Sequence, residues 1–415
     1  MTIQRASTSA GPWTPRVVVQ LAVLAGAALT YVTAEILPVG ALSAIAADLD
    51  ISEAVVGSLL AWYAVVAAVS TVPLVRWTAH WPRRRTLLLA LACLAVSQVV
   101  SALAPTFAVL VIGRTLCAVT HGLLWAVIAP IATRLVPSTH FGRATTAIYI
   151  GSSLGLVMGI PSITWVSLSV GWRPAVALVA AAGIAVLLAA RAVLPPMELA
   201  ADQHAVVGAA ARHHRNRRLI IVTALTLVVV IGHFISYTFI LAIIREVLGI
   251  DVVDRAHAVS WLLVGYGIIG VAAMSAVARP LDRRPAAVAT GCMSVLCLAF
   301  VVLTALAFTD LPTAVTIPVG ITMILLWGAT AATVSPMLQS AAMRTAPTDP
   351  DGASGLYVAA FQIGIAAGSL SGGVLSSHAG LGVMMATSTG LFVAVLIGIV
   401  VARRVFDVSS VVGSY

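Results

Sequence analysis

The sequence contains no lysine and little charge of any kind. All 23 basic residues are arginines, 14 residues are acidic, and charged residues make up only 9% of the 415. The phosphate-binding loop GxxxxGK[ST] cannot be written without lysine, so ATP-driven pumping by this chain alone is excluded. A soluble protein of this length needs far more polar surface, and the lipid bilayer is therefore the expected solvent.

Cysteines and metal-ligand patterns are also scarce. The four cysteines lie in apolar segments, without a CxxC pair, and we interpret them as small core residues. The nine histidines form no HExxH pattern. No nucleophile–base set is visible either, so we expect no metal site, no cofactor and no enzyme.

Apolar residues are what the chain has in excess. They make up 60% of it, and the mean hydropathy is +1.07. A helix of about 20 apolar residues crosses a hydrocarbon core of about 30 Å. The sequence therefore predicts an all-α membrane protein with twelve transmembrane helices, at about 17–46, 53–75, 86–104, 107–135, 143–166, 173–194, 219–244, 257–278, 286–308, 313–338, 353–376 and 380–402.

The distribution of arginine predicts the orientation of these spans. Nineteen arginines fall on the side of the N-terminus, and three, Arg173, Arg245 and Arg255, fall on the other. Cytoplasmic loops carry the excess of basic residues, so both termini are predicted to be cytoplasmic in a bacterial inner membrane. This distribution also explains the sequence pI of about 10.1 without a nucleic-acid partner.

The chain divides into two similar halves. A polar segment at 195–218 is the predicted cytoplasmic central loop between two six-helix bundles, 1–194 and 219–415. Spans 5 and 11 each carry glycines at intervals of four residues, which allow close approach of neighbouring helices: Gly151, Gly155 and Gly159, and Gly364, Gly368 and Gly372. Parallel repeats around a central site are typical of one large class of secondary transporters.

The segment "TAEILPVGAL" places Glu35 and Pro38 inside the first span. A charge at that depth costs about 2.5–3.5 kcal/mol on insertion scales. A carboxyl group removed from water binds a proton more readily, and could load and release one as access alternates. Pro38 leaves a backbone carbonyl free beside it. The alternative is a carboxylate at the end of the helix, at the membrane interface.

Arg114, His121 and Trp125 lie on one face of the fourth span, because their spacing follows the helical period. Hydrogen bonds from the first two and a stacking surface on the third suit a polar, uncharged ligand. Arg114 could instead tie to backbone carbonyls or to Glu35, and His121 could be a satisfied buried histidine. Further candidates for the lining of a substrate cavity are Tyr63, His233, Tyr237, Tyr266, Trp327 and Gln362.

Several segments resemble the major facilitator superfamily, and within it the proton-driven sugar efflux transporters and related drug:proton antiporters. They are "EILPVGALSAIAADLDIS", "WYAVVAAVSTVPL", "GRTLCAVTHGLLWAVIAPIATRLVP", "GSSLGLVMGIPSITW", "GWRPA" and "GHFISYTF", and the resemblance extends over all twelve spans. It implies a fold of two six-helix bundles that rock around a central site. It also implies an acidic residue before the proline of the first span and an arginine in the fourth.

The family's loop motif after the second span, G-x-x-x-D-R-x-G-R-R, is altered in this chain. Arg76 stands at the glycine and His80 at the aspartate, whereas the second copy keeps its aspartate. The resemblance therefore implies a charge latch between the halves that depends more on the second copy. The gating residues that we expect are Arg83, Arg84, Asp282, Arg283, Gly155, Gly159 and Gly368.

The function that the resemblance implies is proton-coupled export of small molecules by alternating access. Sugars or small glycosides are the first expectation. Multidrug or amphenicol-type antibiotic efflux is the alternative, and nucleoside efflux or a non-transporting membrane sensor is less favoured. Glu35 is the expected proton carrier, with the proton as coupling ion. The expected partners are a small-molecule substrate and the lipid bilayer, and we expect a monomer.

Overall fold

The fold is that of a computed structural model, which describes residues 12–197, 216–251, 254–347 and 349–406. Most of the predicted central loop, 195–218, lies outside these ranges. Within them the chain forms thirteen α-helices: α1 (Pro15–Gly40), α2 (Leu42–Asp48), α3 (Glu53–Trp77), α4 (Arg83–Ala102), α5 (Phe107–Arg134), α6 (Phe141–Val170), α7 (Trp172–Val193), α8 (Arg217–Tyr237), α9 (Ile240–Glu246), α10 (Ala256–Arg283), α11 (Pro285–Ala307), α12 (Thr313–Thr345) and α13 (Pro350–Val401).

The membrane spans follow from the long apolar helices. In the described part of the chain, eleven helices are long and apolar enough to cross a bilayer. The last of them, α13, has 52 residues and turns at Gly380, whose φ of 84° is a left-handed value that glycine adopts without strain. Gly171, with a φ of 98°, makes the equivalent turn between α6 and α7. Because α13 contains two spans, the predicted twelve-helix fold is confirmed.

Three predicted spans differ in detail from the structure. The first is interrupted at Ala41, between α1 and α2, three residues after Pro38, which lies inside α1. The seventh is interrupted after Tyr237, between α8 and α9. The tenth, predicted to end at 338, continues to Thr345, because its last turns are buried against other helices and need not be apolar.

Each half of the chain has its own apolar core. One cluster of buried apolar side chains lies within residues 21–197, and a second lies within residues 219–406. The halves meet where α6 packs against α10 and α12, and where α13 packs against α3 and α5. The indole of Trp125 contacts the cores of both halves. The two cores fit a pair of bundles that can move against each other.

The glycine triplets form packing seams inside each half. A methyl group on Gly155 of α6 would lie 2.7 Å from the carbonyl oxygen of Leu29 in α1, and one on Gly368 of α13 would lie 2.6 Å from that of Ile231 in α8. Gly159 likewise faces Thr33 of α1. These glycines were expected to gate the contact between the halves. In this conformation they instead join helices of the same half.

We therefore expect Gly155→Leu to reduce folded yield and thermal stability strongly, because the side chain has no space between α6 and α1. Thermal unfolding of the detergent-solubilised protein measures the effect. Gly291→Leu is the matched control, since a Cβ at Gly291 meets nothing within 4 Å. A Gly155 variant that keeps parental stability and loses only transport would restore the gating assignment.

Candidate functional site

Asp282, at the end of α10, joins the second half to the first. Its Oδ1 accepts a hydrogen bond of 2.6 Å from the backbone N–H of Gly142, in the first turn of α6. Its Oδ2 accepts one of 2.8 Å from Nε of Arg143. Arg344 of α12 lies 3.7 Å from the carboxylate. The predicted gating role of Asp282 thus has a geometric basis: a buried carboxylate at a helix N-terminus, where the helix dipole favours negative charge.

Asp351, in the first turn of α13, makes the second junction. Its Oδ2 accepts hydrogen bonds from Arg83 Nε at 2.8 Å and from Arg134 Nη2 at 2.6 Å, both from the first half. The side chains of Asp351 and Arg83 are 6% and 7% exposed. The loop motif that carries His80 was expected to leave this side of the latch weak. In this structure Asp351 provides a carboxylate for Arg83 and Arg134 from the opposite half.

Asp282 and Asp351, with the arginines that they bind, form the latch between the halves. Two of the predicted gating arginines take no part in it. Arg84 donates to the backbone carbonyl of Arg191, within the first half. Arg283 is exposed, although it is adjacent to Asp282 in sequence. The loop motif pointed to the segment around residues 83–85, and the fold shows that Arg83 is the arginine that contacts the other half.

Above the latch, a layer of neutral side chains connects the halves. Tyr149 of α6 donates a hydrogen bond of 2.9 Å to Oε1 of Gln339 in α12. Gln339 Nε2 donates to the backbone carbonyl of Trp125 at 3.2 Å. These bonds lie within about two and a half helical turns of the end of the bundle that carries the latch. That end is the arginine-rich face, and the halves are closed there.

Glu35 lies near the opposite end of α1 and reaches into a buried polar cluster. Its Oε2 is 3.9 Å from Nδ1 of His121, and its side chain keeps 31% of its surface exposed. The same Nδ1 lies 3.1 Å from the hydroxyl of Tyr63. Glu35 and His121, which were predicted separately, are thus neighbours. Nδ1 of His121 lies between the carboxylate of Glu35 and the hydroxyl of Tyr63.

Arg114 donates hydrogen bonds to the backbone of α1. Its Nη1 donates to the carbonyl of Ala34, the acceptor that Pro38 leaves free, and its Nη2 donates to that of Glu35 at 2.7 Å. The guanidinium also lies over the ring of Tyr63, at 5.0 Å. Arg114 is completely buried. Of the two roles considered for it, the structure favours the tie to backbone carbonyls over direct binding of a substrate.

In the second half, aromatic side chains occupy the corresponding region. The rings of His233 and Tyr237 stack at 5.0 Å, and Nε1 of the buried Trp327 donates to Nδ1 of His233 at 3.1 Å. Tyr266 packs edge-on against Trp327 at 5.8 Å. The three predicted residues on α8 and α10 therefore form one cluster. Gln362, predicted with them, is half-buried on α13.

The two clusters occupy equivalent positions in the two halves. The glycine seams place Leu29 and Ile231 at matching sites, and the same offset matches Tyr31 with His233 and Glu35 with Tyr237. Tyr31 bonds to α5 through Thr120 at 2.7 Å, much as His233 bonds to α12. The second half therefore has a phenol where the first has a carboxylate.

A bundle of two equivalent halves, closed at one face and with polar and aromatic groups in each half, is the architecture of a class of membrane transporters. The chain belongs to the Major Facilitator Superfamily, whose family model matches residues 23–369. Membership identifies the protein as a multi-pass transporter rather than an enzyme.

Relatives and solved structures agree with this assignment. The chain is 59% identical, over 97% of its length and 96% of theirs, to chloramphenicol efflux pumps of Mycobacterium tuberculosis strains CDC 1551 / Oshkosh and ATCC 25618 / H37Rv. The transporter FucP in its outward conformation superposes with a TM-score of 0.76 at 13% identity, covering 94% of this chain and 99% of FucP. The proton:xylose symporter XylE gives 0.64 at 16% identity, covering 92% and 94%.

Proposed function

We propose that this transporter exports amphenicol antibiotics such as chloramphenicol. The observation that carries the proposal is the 59% identity, along nearly the whole chain, to proteins named as chloramphenicol efflux pumps. Sugar export, the first expectation from the sequence, has less support. The proton:xylose symporter XylE is only 16% identical and shares the fold alone.

The chemistry of the side chains in the two clusters suits such a substrate. Chloramphenicol is uncharged and combines a nitrophenyl ring with hydroxyl and amide groups. The rings of Trp125, Tyr237 and Tyr266 offer stacking surfaces, and His121 offers a hydrogen-bonding nitrogen. A site for an uncharged ligand has no need of a free cation, which is consistent with Arg114 being occupied by the α1 backbone.

Glu35 is our proposed proton carrier. The distance of 3.9 Å from its Oε2 to His121 Nδ1 is too long for a hydrogen bond, so a small shift of the side chains must bring the two atoms together. With Glu35 ionised, neutral His121 carries its proton on Nδ1 and donates it toward the carboxylate. With Glu35 protonated, neutral His121 carries its proton on Nε2, and its Nδ1 accepts from the hydroxyl of Tyr63 instead. A proton entering from the open face would thus alter the hydrogen bonding of α1, α3 and α5 together.

We place the arginine-rich face in the cytoplasm, with both termini there, in a bacterial inner membrane. The arginine distribution supports this orientation. The structure would then be closed toward the cytoplasm, the state from which an exporter releases its substrate. We expect the monomer to be the transporting unit, because each chain contains both halves of the site.

A flux experiment tests the proposed substrate. Purified protein is reconstituted into sealed vesicles, and uptake or release of labelled chloramphenicol, a disaccharide and a nucleoside is followed with and without a pH gradient. We expect chloramphenicol alone to move against its gradient, and protein-free vesicles to show none of this movement. Gradient-driven movement of the disaccharide or the nucleoside, with none of chloramphenicol, would overturn the proposal.

A further inference from the structure

Gln339 uses its whole side-chain amide at the contact between the halves. It is completely buried on α12. Its Oε1 accepts from Tyr149, and its Nε2 donates both to the carbonyl of Trp125 and to Oγ of Ser354, the latter at 3.0 Å. Two of the three bonds reach the first half. A buried amide satisfied in this way fixes the geometry of every group that it touches.

The amide holds two aromatic rings against each other. Tyr149 and Trp125 stack with their centroids 5.6 Å apart and their planes 22° apart. Gln339 fixes the hydroxyl of the first and the backbone of the second. One face of the Trp125 indole is therefore covered by Tyr149 in this conformation. The Trp125 ring also lies near the proposed proton-binding residues, since its centroid is 6.3 Å from that of the His121 ring.

We propose that Gln339 is a positioning residue that presses Tyr149 onto Trp125 whenever the arginine-rich face is closed. The three residues form an inner gate, one layer above the Asp282 and Asp351 latch. The same contact withdraws an indole face from the cavity. This second consequence rests on the proposed function, because it assumes that Trp125 contacts the exported drug.

Such an arrangement would lower substrate affinity at the moment of release. Weaker binding of the substrate in the state that opens outward than in the state that opens to the cytoplasm favours release outside and disfavours return of the substrate. When the halves part, the bonds from Gln339 to the first half are lost and water can replace them. Tyr149 is then no longer held, and the indole face becomes available. Gln339 would thus link the state of the gate to the surface that the substrate uses.

Gln339→Leu tests the proposal, because it keeps the approximate size of the side chain and removes all three bonds. Nitroxide labels at Arg76→Cys and Arg284→Cys, both exposed positions at the arginine-rich face on opposite halves, report the opening as a distance distribution. The labels are placed in a variant without the native cysteines. We expect the open population, in the absence of any substrate, to rise at least fivefold.

Gln98→Leu is the matched control. Gln98 is equally buried, on α4, and among the residues that the structure describes its amide bonds only Ser97 of the same helix, so we expect no change in the label distances. Tyr149→Phe keeps the ring and removes the hydroxyl, so it should shift the population in the same direction as Gln339→Leu. Tyr149→Phe also removes the 3.5 Å bond from Tyr149 to Tyr357, but the effect of the double variant should be smaller than the sum of the two single effects, since both remove the bond between Tyr149 and Gln339. Unchanged distances in Gln339→Leu, or effects that simply add, would overturn the proposal.

Substrate binding separates this inference from the proposed function. In Gln339→Leu we expect the affinity for chloramphenicol to rise three- to tenfold, measured by titration calorimetry, while concentrative export falls. If neither the parent nor the variant binds chloramphenicol, the proposed substrate is wrong, and the label distances still decide whether Gln339 holds the gate. If the population shifts and the affinity falls, Tyr149 does not compete with the drug for Trp125.

Discussion

Glu35→Gln is expected to abolish concentrative export of drug driven by a pH gradient while leaving drug binding measurable. Glutamine keeps the size and the hydrogen-bonding capacity of the side chain but cannot ionise. The carboxylate lies 3.9 Å from Nδ1 of His121, so its loss removes the protonation that, in the proposed mechanism, changes the hydrogen bonding of α1, α3 and α5. Flux in sealed vesicles gives the export rate, and titration calorimetry gives the affinity. We expect accumulation no higher than that of the parent without a gradient.

Two further variants make this result interpretable. Glu53→Gln makes the same chemical change at an exposed position in the first turn of α3 and should export like the parent. Glu35→Asp keeps an ionisable group one methylene shorter and should retain part of the activity with a shifted pH optimum. Gradient-driven accumulation by Glu35→Gln at the parental level would remove Glu35 from proton transfer, and His121 would be the next group to replace.

Asp351→Asn is expected to open the arginine-rich face and slow export at least tenfold. The substitution leaves Arg83, almost completely buried, and Arg134 without a carboxylate. Charge-assisted hydrogen bonds are worth about 1.5–3 kcal/mol each, so loss of the charge should shift the equilibrium between the two states by an order of magnitude or more. Label distances across this face and drug flux measure the two effects.

Asp310→Asn, in the exposed loop between α11 and α12, is the control for removal of one negative charge. It should leave both measurements unchanged. Restoring an acid on the first half, as His80→Asp, should not rescue Asp351→Asn fully, because the buried arginines face α13. Normal distances and flux in Asp351→Asn would show that the Asp282 junction and the Gln339 layer keep the halves closed without Asp351.

The spans could be predicted from the sequence because their signal is local. About 20 apolar residues in a row suffice, whatever the neighbours. The effect of Pro38 could also be predicted, since a missing N–H frees the carbonyl four residues earlier. Glu35 was recognised because it is a charged residue inside an apolar span. A hydrogen bond from Arg114 of α5 to a backbone carbonyl was one of the two roles considered for this residue, the other being direct binding of a substrate. Choosing between them needed the crossing of α1 and α5, which no local pattern encodes.

The groups that join the halves were harder to find. In the sequence, nothing distinguishes Asp351 from other acidic residues in the first turn of a helix. Its partners, Arg83 and Arg134, are more than 200 positions away. Gln339 gave a usable signal, a polar amide close to the predicted end of an apolar span, but not its partners. The glycine stripes were recognised as close contacts, whereas the helix that each one meets depends on the packing of the whole half.

The phenol of Tyr237 at the position equivalent to Glu35 has a consequence for the energy source. With one carboxyl group as carrier, exchange of a neutral drug for a proton moves one net charge inward in each cycle. Membrane voltage would then drive export together with the pH difference. A potential of 100 mV contributes about 2.3 kcal/mol and one pH unit about 1.4 kcal/mol, which together sustain a drug concentration ratio of roughly 500. A second acid at Tyr237, by Tyr237→Glu, would offer a site for a second proton and a steeper dependence on voltage.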